Sequence, residues 1–154
     1  MPDTAPAAGQ ILMVIPYLRV RDANSAIAFY QRAFGATEVF RLSEPNGRIG
    51  HAELMFGSTV VMISDEYPEH GIQSPLAFNG TGAMLQLQVK NVDEVFQRAV
   101  AAGATVTMAP QDQFYGQRSA KLRDPFGHEW GLGQEIEKVS NEEIQRRSTA
   151  MYSA

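Results

Sequence analysis

A histidine and a glutamate that stand two positions apart are the side chains best suited to chemistry in this sequence. His51 and Glu53 fall within residues 48–56, where apolar and polar residues alternate as in a half-buried strand. Alternate residues of a strand point to the same face, so these two side chains should share one surface. There Glu53 can act as a general base, with His51 orienting it or sharing the proton. The alternative is structural, with the two side chains paired to each other or to Arg48.

The same alternation predicts a set of ligand-contacting side chains around this pair. In residues 84–89 the leucines and the valine should face the helices, which leaves a methionine and two glutamines on the other face. The predicted ligand contacts are Tyr17, Met55, Met84, Gln86, Gln88, Tyr115 and Arg118. This mixture of apolar, aromatic and amide groups suits a small, partly apolar organic molecule, although a solvated sheet face would produce the same alternation.

Arg118 lies in a glycine-containing loop, 112–118, that should border the pocket. Its guanidinium could hold an anionic group of the ligand by a forked pair of hydrogen bonds. It could equally brace the loop through Asp112 or Asp124.

Composition excludes several classes of function. The chain has no cysteine, which excludes disulfides, thiolate nucleophiles and cysteine-ligated zinc. The net charge is -4 and no basic stripe is visible, so nucleic acid is not an expected partner. No apolar run approaches the roughly 18 residues that span a bilayer, and the N-terminus lacks a signal-peptide pattern. We therefore expect a cytoplasmic protein that binds no membrane.

An internal repeat organises the chain. Residues 20–37 run from a strand end through a helix into Gly-Ala-Thr, and residues 89–105 repeat that order about 68 positions later. The pattern predicts a flexible tail at 1–10 and a single domain at 11–136. Within it lie module one at 11–66, a linker at 67–82 and module two at 83–136. Residues 137–154 should form a helical tail.

Within each module the predicted order is strand, helix and three further strands. The first strand should span 11–20 and the fourth strand of module two should span 129–134. Asp22 and Asn91 stand where helix N-caps are expected. Ser140 with Glu143 three residues later predicts the start of the C-terminal helix.

Five stretches together resemble one family. They are 17–22 (YLRVRD), 26–36 (AIAFYQRAFGA), 47–54 (GRIGHAEL), 112–118 (DQFYGQR) and 124–130 (DPFGHEW). Their order and spacing are similar to the glyoxalase/bleomycin-resistance/dioxygenase (vicinal oxygen chelate) superfamily, and to its PhnB-like branch. The resemblance implies an α+β fold of two tandem βαβββ modules, whose mixed sheets curl around a concave cavity. It also implies a homodimer.

The resemblance implies a test for a metal as well. Metal-using members place His or Glu at four positions, which fall here on Ile15, Val61, Met84 and Gly131. None is a usual metal ligand, so we predict no cofactor, although His51 and Glu53 could form half of an unusual divalent-metal site.

Three functions remain in view. The leading hypothesis is metal-independent binding of a small molecule, as in a drug-sequestering protein. The second is a lyase or isomerase of glyoxalase type that uses Glu53 as base. The third is a regulatory domain that docks through its C-terminal helix.

Overall fold

Two four-stranded sheets and three α-helices make up the computed structural model, which describes residues 4–153. Module one contains β1 (Tyr17–Val20), α1 (Ala23–Phe34), β2 (Thr37–Ser43), β3 (Ile49–Phe56) and β4 (Thr59–Asp65). Module two contains β5 (Met84–Gln88), α2 (Val92–Ala102), β6 (Thr105–Asp112), β7 (Gln117–Arg123) and β8 (Glu129–Glu135). The last helix is α3 (Asn141–Tyr152). The predicted fold of two βαβββ modules is confirmed.

Each sheet has the same topology. The strand orders are β1-β4-β3-β2 and β5-β8-β7-β6. In both, the first strand of the module runs parallel to the last, and the remaining neighbours are antiparallel. One face of each sheet is buried beneath α1 and α2, which also pack against each other. The opposite surfaces are here named the module-one face and the module-two face.

Local sequence accounts for the helix ends. The Asp22 carboxylate accepts a hydrogen bond from the Ser25 N–H at 3.1 Å, which caps α1. Asn91 caps α2 in the same way, by accepting from the Glu94 N–H at 3.1 Å. Gly35 ends α1 with a φ of 68°, a left-handed conformation that glycine adopts without steric cost.

A buried carboxylate connects the two modules through the core. Asp124, in the turn before β8, accepts hydrogen bonds from the Tyr30 hydroxyl of α1 and from Trp130 Nε1 of β8. Its other oxygen accepts from the backbone N–H groups of Phe126 and His128. Burial, together with the Asp124 charge, raises the pKa of Tyr30 well above its ordinary value, so this phenol remains a donor.

Two strand boundaries differ from prediction. The first strand begins at Tyr17 rather than at residue 11, and residues 11–14 are exposed without a strand partner. Pairing with β4 ends at Pro16, whose carbonyl accepts from the Met62 N–H and which has no N–H of its own to donate. β6, which the β-rich residues 105–109 predict, runs on to Asp112. It contains Pro110, which an edge strand tolerates because no partner there requires the missing donor.

The C-terminal segment begins with the predicted helix cap. Ser140 accepts from the Glu143 N–H at 3.2 Å, so the predicted cap of α3 is present. Among residues 4–153, no helix combines the length and the apolar character needed to cross a membrane.

Candidate functional site

A continuous chain of hydrogen bonds crosses the module-one face. The Tyr17 hydroxyl lies 2.7 Å from His51 Nδ1, and His51 Nε2 lies 3.1 Å from Glu53 Oε1. Strand register brings them together, because Tyr17 aligns with Met62 of β4 and Met62 aligns with Glu53 of β3. The predicted pairing of His51 with Glu53 is present, whereas Arg48 instead binds Glu69.

The hydrogen-bond partners of Tyr17, His51 and Glu53 indicate which of their atoms carry hydrogen. An ionised carboxylate only accepts, so a neutral His51 donates from Nε2 to Glu53 and accepts at Nδ1 from Tyr17. Burial raises the pKa of the Tyr17 hydroxyl, against smaller lowering effects of Ser64 and Arg19. Tyr17 therefore stays protonated near neutral pH and donates to the imidazole. The arrangement can pass a proton between a bound molecule at Tyr17 and the Glu53 carboxylate.

The module-one face does not supply a set of metal ligands. Within residues 4–153, no three histidine, aspartate or glutamate side chains gather closely enough to hold an ion. The register corrects one predicted position: Val61 is buried in the core, and its neighbour Met62 is the residue that aligns with Glu53 on the face. A thioether does not replace a hard oxygen or nitrogen donor at a catalytic divalent ion. The residues present therefore do not fit the metal of the metal-using members.

Three glutamine amides form a second hydrogen-bonded chain, on the module-two face. Gln86 Nε2 donates to Gln88 Oε1 at 3.1 Å, and Gln88 Nε2 donates to Gln117 Oε1 at 3.1 Å. Two are the predicted glutamines of β5, and the third comes from the start of β7. The amides hold one another in place across β8, which lies between those two strands.

Two glycines of β8 make room for these amides. A methyl group added at Gly131 would overlap the Gln86 side-chain oxygen, and one added at Gly133 would overlap the Gln88 oxygen. Gly131 is one of the four positions at which metal-using members are expected to carry a ligand. Here the side-chain amide of Gln86 occupies that space. Because the glycines have no side chains, the amides lie flat over β8 and form a hydrogen-bonding surface.

A cavity of about 360 Å³ opens on the module-two face. Its lining combines the amide chain with apolar and hydroxyl groups: Met84, Gln86, Gln88, Tyr115, Gln117, Ser119, Ala120, Lys121, Leu132 and Gly133. Four of the predicted ligand contacts, Met84, Gln86, Gln88 and Tyr115, are therefore brought together.

The other predicted contacts lie elsewhere. Tyr17 and Met55 lie on the module-one face, together with His51 and Glu53. The predicted contacts are therefore divided between two faces of the protein and do not line one shared pocket. Tyr17 and Met84 do line a common cavity of about 730 Å³ where β1 approaches β5.

Arg118 braces the structure instead of pointing into the cavity. Its guanidinium binds Asp93 of α2 at 2.9 Å and Asp112 of β6 at 2.9 Å. Both carboxylates raise the pKa of Arg118, Asp93 more strongly. The bracing alternative is therefore the one observed, although its second partner is Asp93 rather than Asp124.

Sequence reasoning missed the other polar side chains of the cavity lining, namely Gln117, Ser119 and Lys121. The signal was available, because alternation along β7 places all three on the face opposite Ala120 and Leu122, which are buried in the core.

Comparison with known proteins agrees with this architecture. The model of the Glyoxalase/Bleomycin resistance protein/Dioxygenase superfamily matches residues 9–132. An uncharacterised protein of Mycobacterium tuberculosis, Rv0887c, is 44% identical over 133 residues, which cover 84% of this chain and 78% of that protein.

Solved structures of the same fold are numerous. TioX from Micromonospora sp. ML1 is 28% identical with a TM-score of 0.63, covering 80% of this chain and 98% of that one. The fosfomycin resistance protein FosX of Listeria monocytogenes, in complex with Mn(II) and sulfate, is 22% identical with a TM-score of 0.63. That alignment covers 90% of this chain and 99% of FosX, and it shows a shared fold. With two βαβββ modules and a family model that spans most of its length, the chain belongs to the Glyoxalase/Bleomycin resistance protein/Dioxygenase superfamily.

Proposed function

We propose that this protein binds a small, partly apolar organic molecule in the module-two cavity and does so without a resident metal ion. The amide chain from Gln86 to Gln117 over Gly131 and Gly133 is the observation that carries the proposal. Side-chain amides that fix one another offer oriented donors and acceptors to a ligand. Met84 and Tyr115 add apolar and aromatic surface to the same cavity.

The metal-free part of the proposal is supported by the donor chemistry of the four family positions. On the module-two face these positions carry a thioether at Met84 and no side chain at Gly131. The imidazole and carboxylate of His51 and Glu53 are already bound to each other on the other module. FosX, which shares this fold, was crystallised with Mn(II), but no three histidine, aspartate or glutamate side chains gather to hold an ion within residues 4–153 of this chain.

Further features of the proposal come from the family resemblance and from the sequence pattern. We place the chain in the PhnB-like branch, as a cytoplasmic homodimer whose single domain spans residues 11–136. Exposed apolar side chains at residues 11–14 and at Met84 are surfaces that a second copy could cover.

A compound screen with two matched variants tests the proposal. Compounds that raise the melting temperature should shift backbone amide NMR signals of β5, β7 and β8. The double substitution Gln86→Ala and Gln88→Ala should weaken binding at least about tenfold, since it removes hydrogen bonds worth roughly 1 kcal/mol each together with their fixed geometry. Gln97→Ala, on the exposed side of α2, should leave binding unchanged. Shifts confined to other surfaces would contradict the proposal.

A second candidate function is acid–base catalysis on the module-one face. The observation that favours it is the chain from Tyr17 through His51 to Glu53, in which each atom has a single consistent role as donor or acceptor. Such a chain can deprotonate or protonate a small carbonyl, enol or epoxide compound, with Tyr17 as the group that touches it.

Two conservative variants test the second candidate. Glu53→Gln and Tyr17→Phe should each abolish turnover of any substrate found among carbonyl, enol and epoxide compounds, while the melting temperature changes by less than about 3 °C. Both side chains are partly exposed, so neither change should disturb the core. Loss of stability without a specific loss of turnover would show that the hydrogen bonds from Tyr17 to Glu53 have a structural role.

A further inference from the structure

We infer that the module-two cavity selects a small organic oxyanion, a carboxylate or a phosphorus oxyacid, with Lys121 and Ser119 contacting the anionic group. The inference rests on the proposed function, because it specifies the ligand of the same cavity. It depends on three observations: a buried hydroxyl without a partner, a single charged side chain, and unused amide atoms beside them.

Ser119 supplies the buried hydroxyl. The residue is 9% exposed and lines the cavity, and its Oγ is the one buried side-chain nitrogen or oxygen atom of residues 4–153 without a hydrogen-bond partner. Leaving a buried hydroxyl unpaired is unfavourable, and a hydrogen bond from a bound molecule would remove that cost. An oxyanion suits this position because its oxygens accept the hydrogen that the hydroxyl donates.

Lys121 supplies the charge. It is the charged member of the cavity lining, and no carboxylate of the described residues lies within ion-pair distance of it. Its neighbour on the same strand face, Arg123, is instead paired with Glu129 at 3.3 Å. The cavity therefore presents one uncompensated positive charge. A charge-assisted hydrogen bond from an ammonium group is stronger than one between neutral partners.

Strand geometry allows both groups to reach one ligand. Ser119 and Lys121 are two positions apart on β7, so their side chains emerge on the same face. In the register with β8 they lie opposite Gly133 and Gly131 respectively. Since glycine has no side chain, nothing from β8 rises beside them except the amides that cover it.

The amide chain defines a second requirement on the ligand. Gln86 uses its nitrogen and Gln117 uses its oxygen within the chain, which leaves the Gln86 oxygen and the Gln117 nitrogen for a bound molecule. The Gln117 nitrogen can donate to the oxyanion, and the Gln86 oxygen can accept from an N–H or O–H of the ligand. The fitting molecule thus combines an oxyanion with a hydrogen-bond donor and a modest apolar body.

Phenylacetate, phenylphosphonate and the neutral phenylacetamide are the probes for this inference. In NMR titrations of the full chain, at least one of the two anions should shift amide signals of β7 and β8 and bind about tenfold more tightly than phenylacetamide. Lys121→Met should weaken binding of that anion about tenfold and leave the affinity for phenylacetamide unchanged, whereas Lys121→Arg should retain binding of the anion. Lys90→Met removes the same charge outside the cavity lining and should have no effect. The tighter anion identifies the head group.

The outcomes separate this inference from the proposed function. If phenylacetamide binds as tightly as both anions, or if Lys121→Met leaves the anions unaffected, the oxyanion assignment is wrong although ligand binding stands. If none of the three probes shifts the module-two face and the compound screen also finds no binder there, both are wrong. Ser119→Ala should weaken binding of the anion without changing the fold. An unchanged affinity would show that Ser119 does not contact the ligand.

Discussion

Replacing Asp124 with Asn should lower the free energy of unfolding more than an Asp→Asn change at any exposed position. One carboxylate oxygen accepts from the Tyr30 hydroxyl and from Trp130 Nε1, while the other accepts from two backbone N–H groups. Asparagine has a single acceptor oxygen, which we expect to keep the two backbone bonds. Its NH₂ group then faces two donors in a core where Asp124 is 4% exposed.

The expected loss follows from these contacts. Two hydrogen bonds to a charged acceptor are worth about 1.5–3 kcal/mol each, or roughly 3–6 kcal/mol together. The Tyr30 hydroxyl can rotate to accept from the new amide, which recovers about 1 kcal/mol, whereas the indole N–H can only donate. We therefore expect Asp124→Asn to lower the free energy of unfolding by roughly 2–5 kcal/mol. Tyr30→Phe removes one of these bonds and should lower the free energy of unfolding by about 1.5–3 kcal/mol.

Urea denaturation at neutral pH measures these values directly, and the chain's one tryptophan is the reporter. Asp93→Asn is the matched control, since its partly exposed pair with Arg118 should contribute less than about 1 kcal/mol. Because Tyr30 and Asp124 share one bond, the double variant should cost less than the sum of the single variants. A loss below about 1 kcal/mol for Asp124→Asn, or additive losses in the double variant, would refute the reasoning.

Three further predictions concern the cavity, a helix cap and pH. Gly131→Ala should displace the flexible end of Gln86, abolish ligand binding to the module-two face and shift the melting temperature by less than about 3 °C, as thermal melts and titrations would show. Asn91→Ala should lower the free energy of unfolding, measured in urea, by about 1 kcal/mol, and an unchanged value would contradict the capping role of Asn91. Arg146 and the adjacent arginine lower the pKa of Glu143 to about 2, so its stabilisation of α3 is present above pH 4.5 and is lost as the pH falls towards 2. Carboxyl NMR titration should show this midpoint, and Arg146→Gln should raise it; an unchanged midpoint would contradict the pairing.

Local features of the fold were predictable because their signals are local. Asp22, Asn91 and Ser140 act as caps through residues three positions away, so sequence spacing alone identifies them. Alternation also assigned the faces of β3, where Ala52 and Leu54 are buried and Glu53 between them is not, and of β5, where the two leucines are less exposed than the residues on either side.

Features that depend on pairing between distant strands were not predictable in the same way. The start of β1 depends on where its pairing with β4 begins, at Tyr17 and Met62, and the side on which Val61 lies depends on the register between β3 and β4. A shift of one residue in register exchanges the two faces, which is why the family resemblance assigned Val61, a core residue, to a position expected on the open face.

The candidate site was predicted in part for a similar reason. Alternation identified Gln86 and Gln88, but their contact with Gln117 requires β7 and β5 to flank β8. The bond between Tyr17 and His51 likewise joins strands that are not adjacent in the sequence or in the sheet. Arg118 was ambiguous because its partner Asp93 lies on a helix whose position the sequence does not specify.

The dependence of ligand binding on metal tests the central claim most directly. The tightest compound from the screen should be titrated into the protein by NMR before and after exhaustive dialysis against EDTA. We predict dissociation constants that agree within about twofold, with the same shifts on β5, β7 and β8. Binding that disappears after EDTA treatment and returns when Mn(II) or Zn(II) is added would contradict the account.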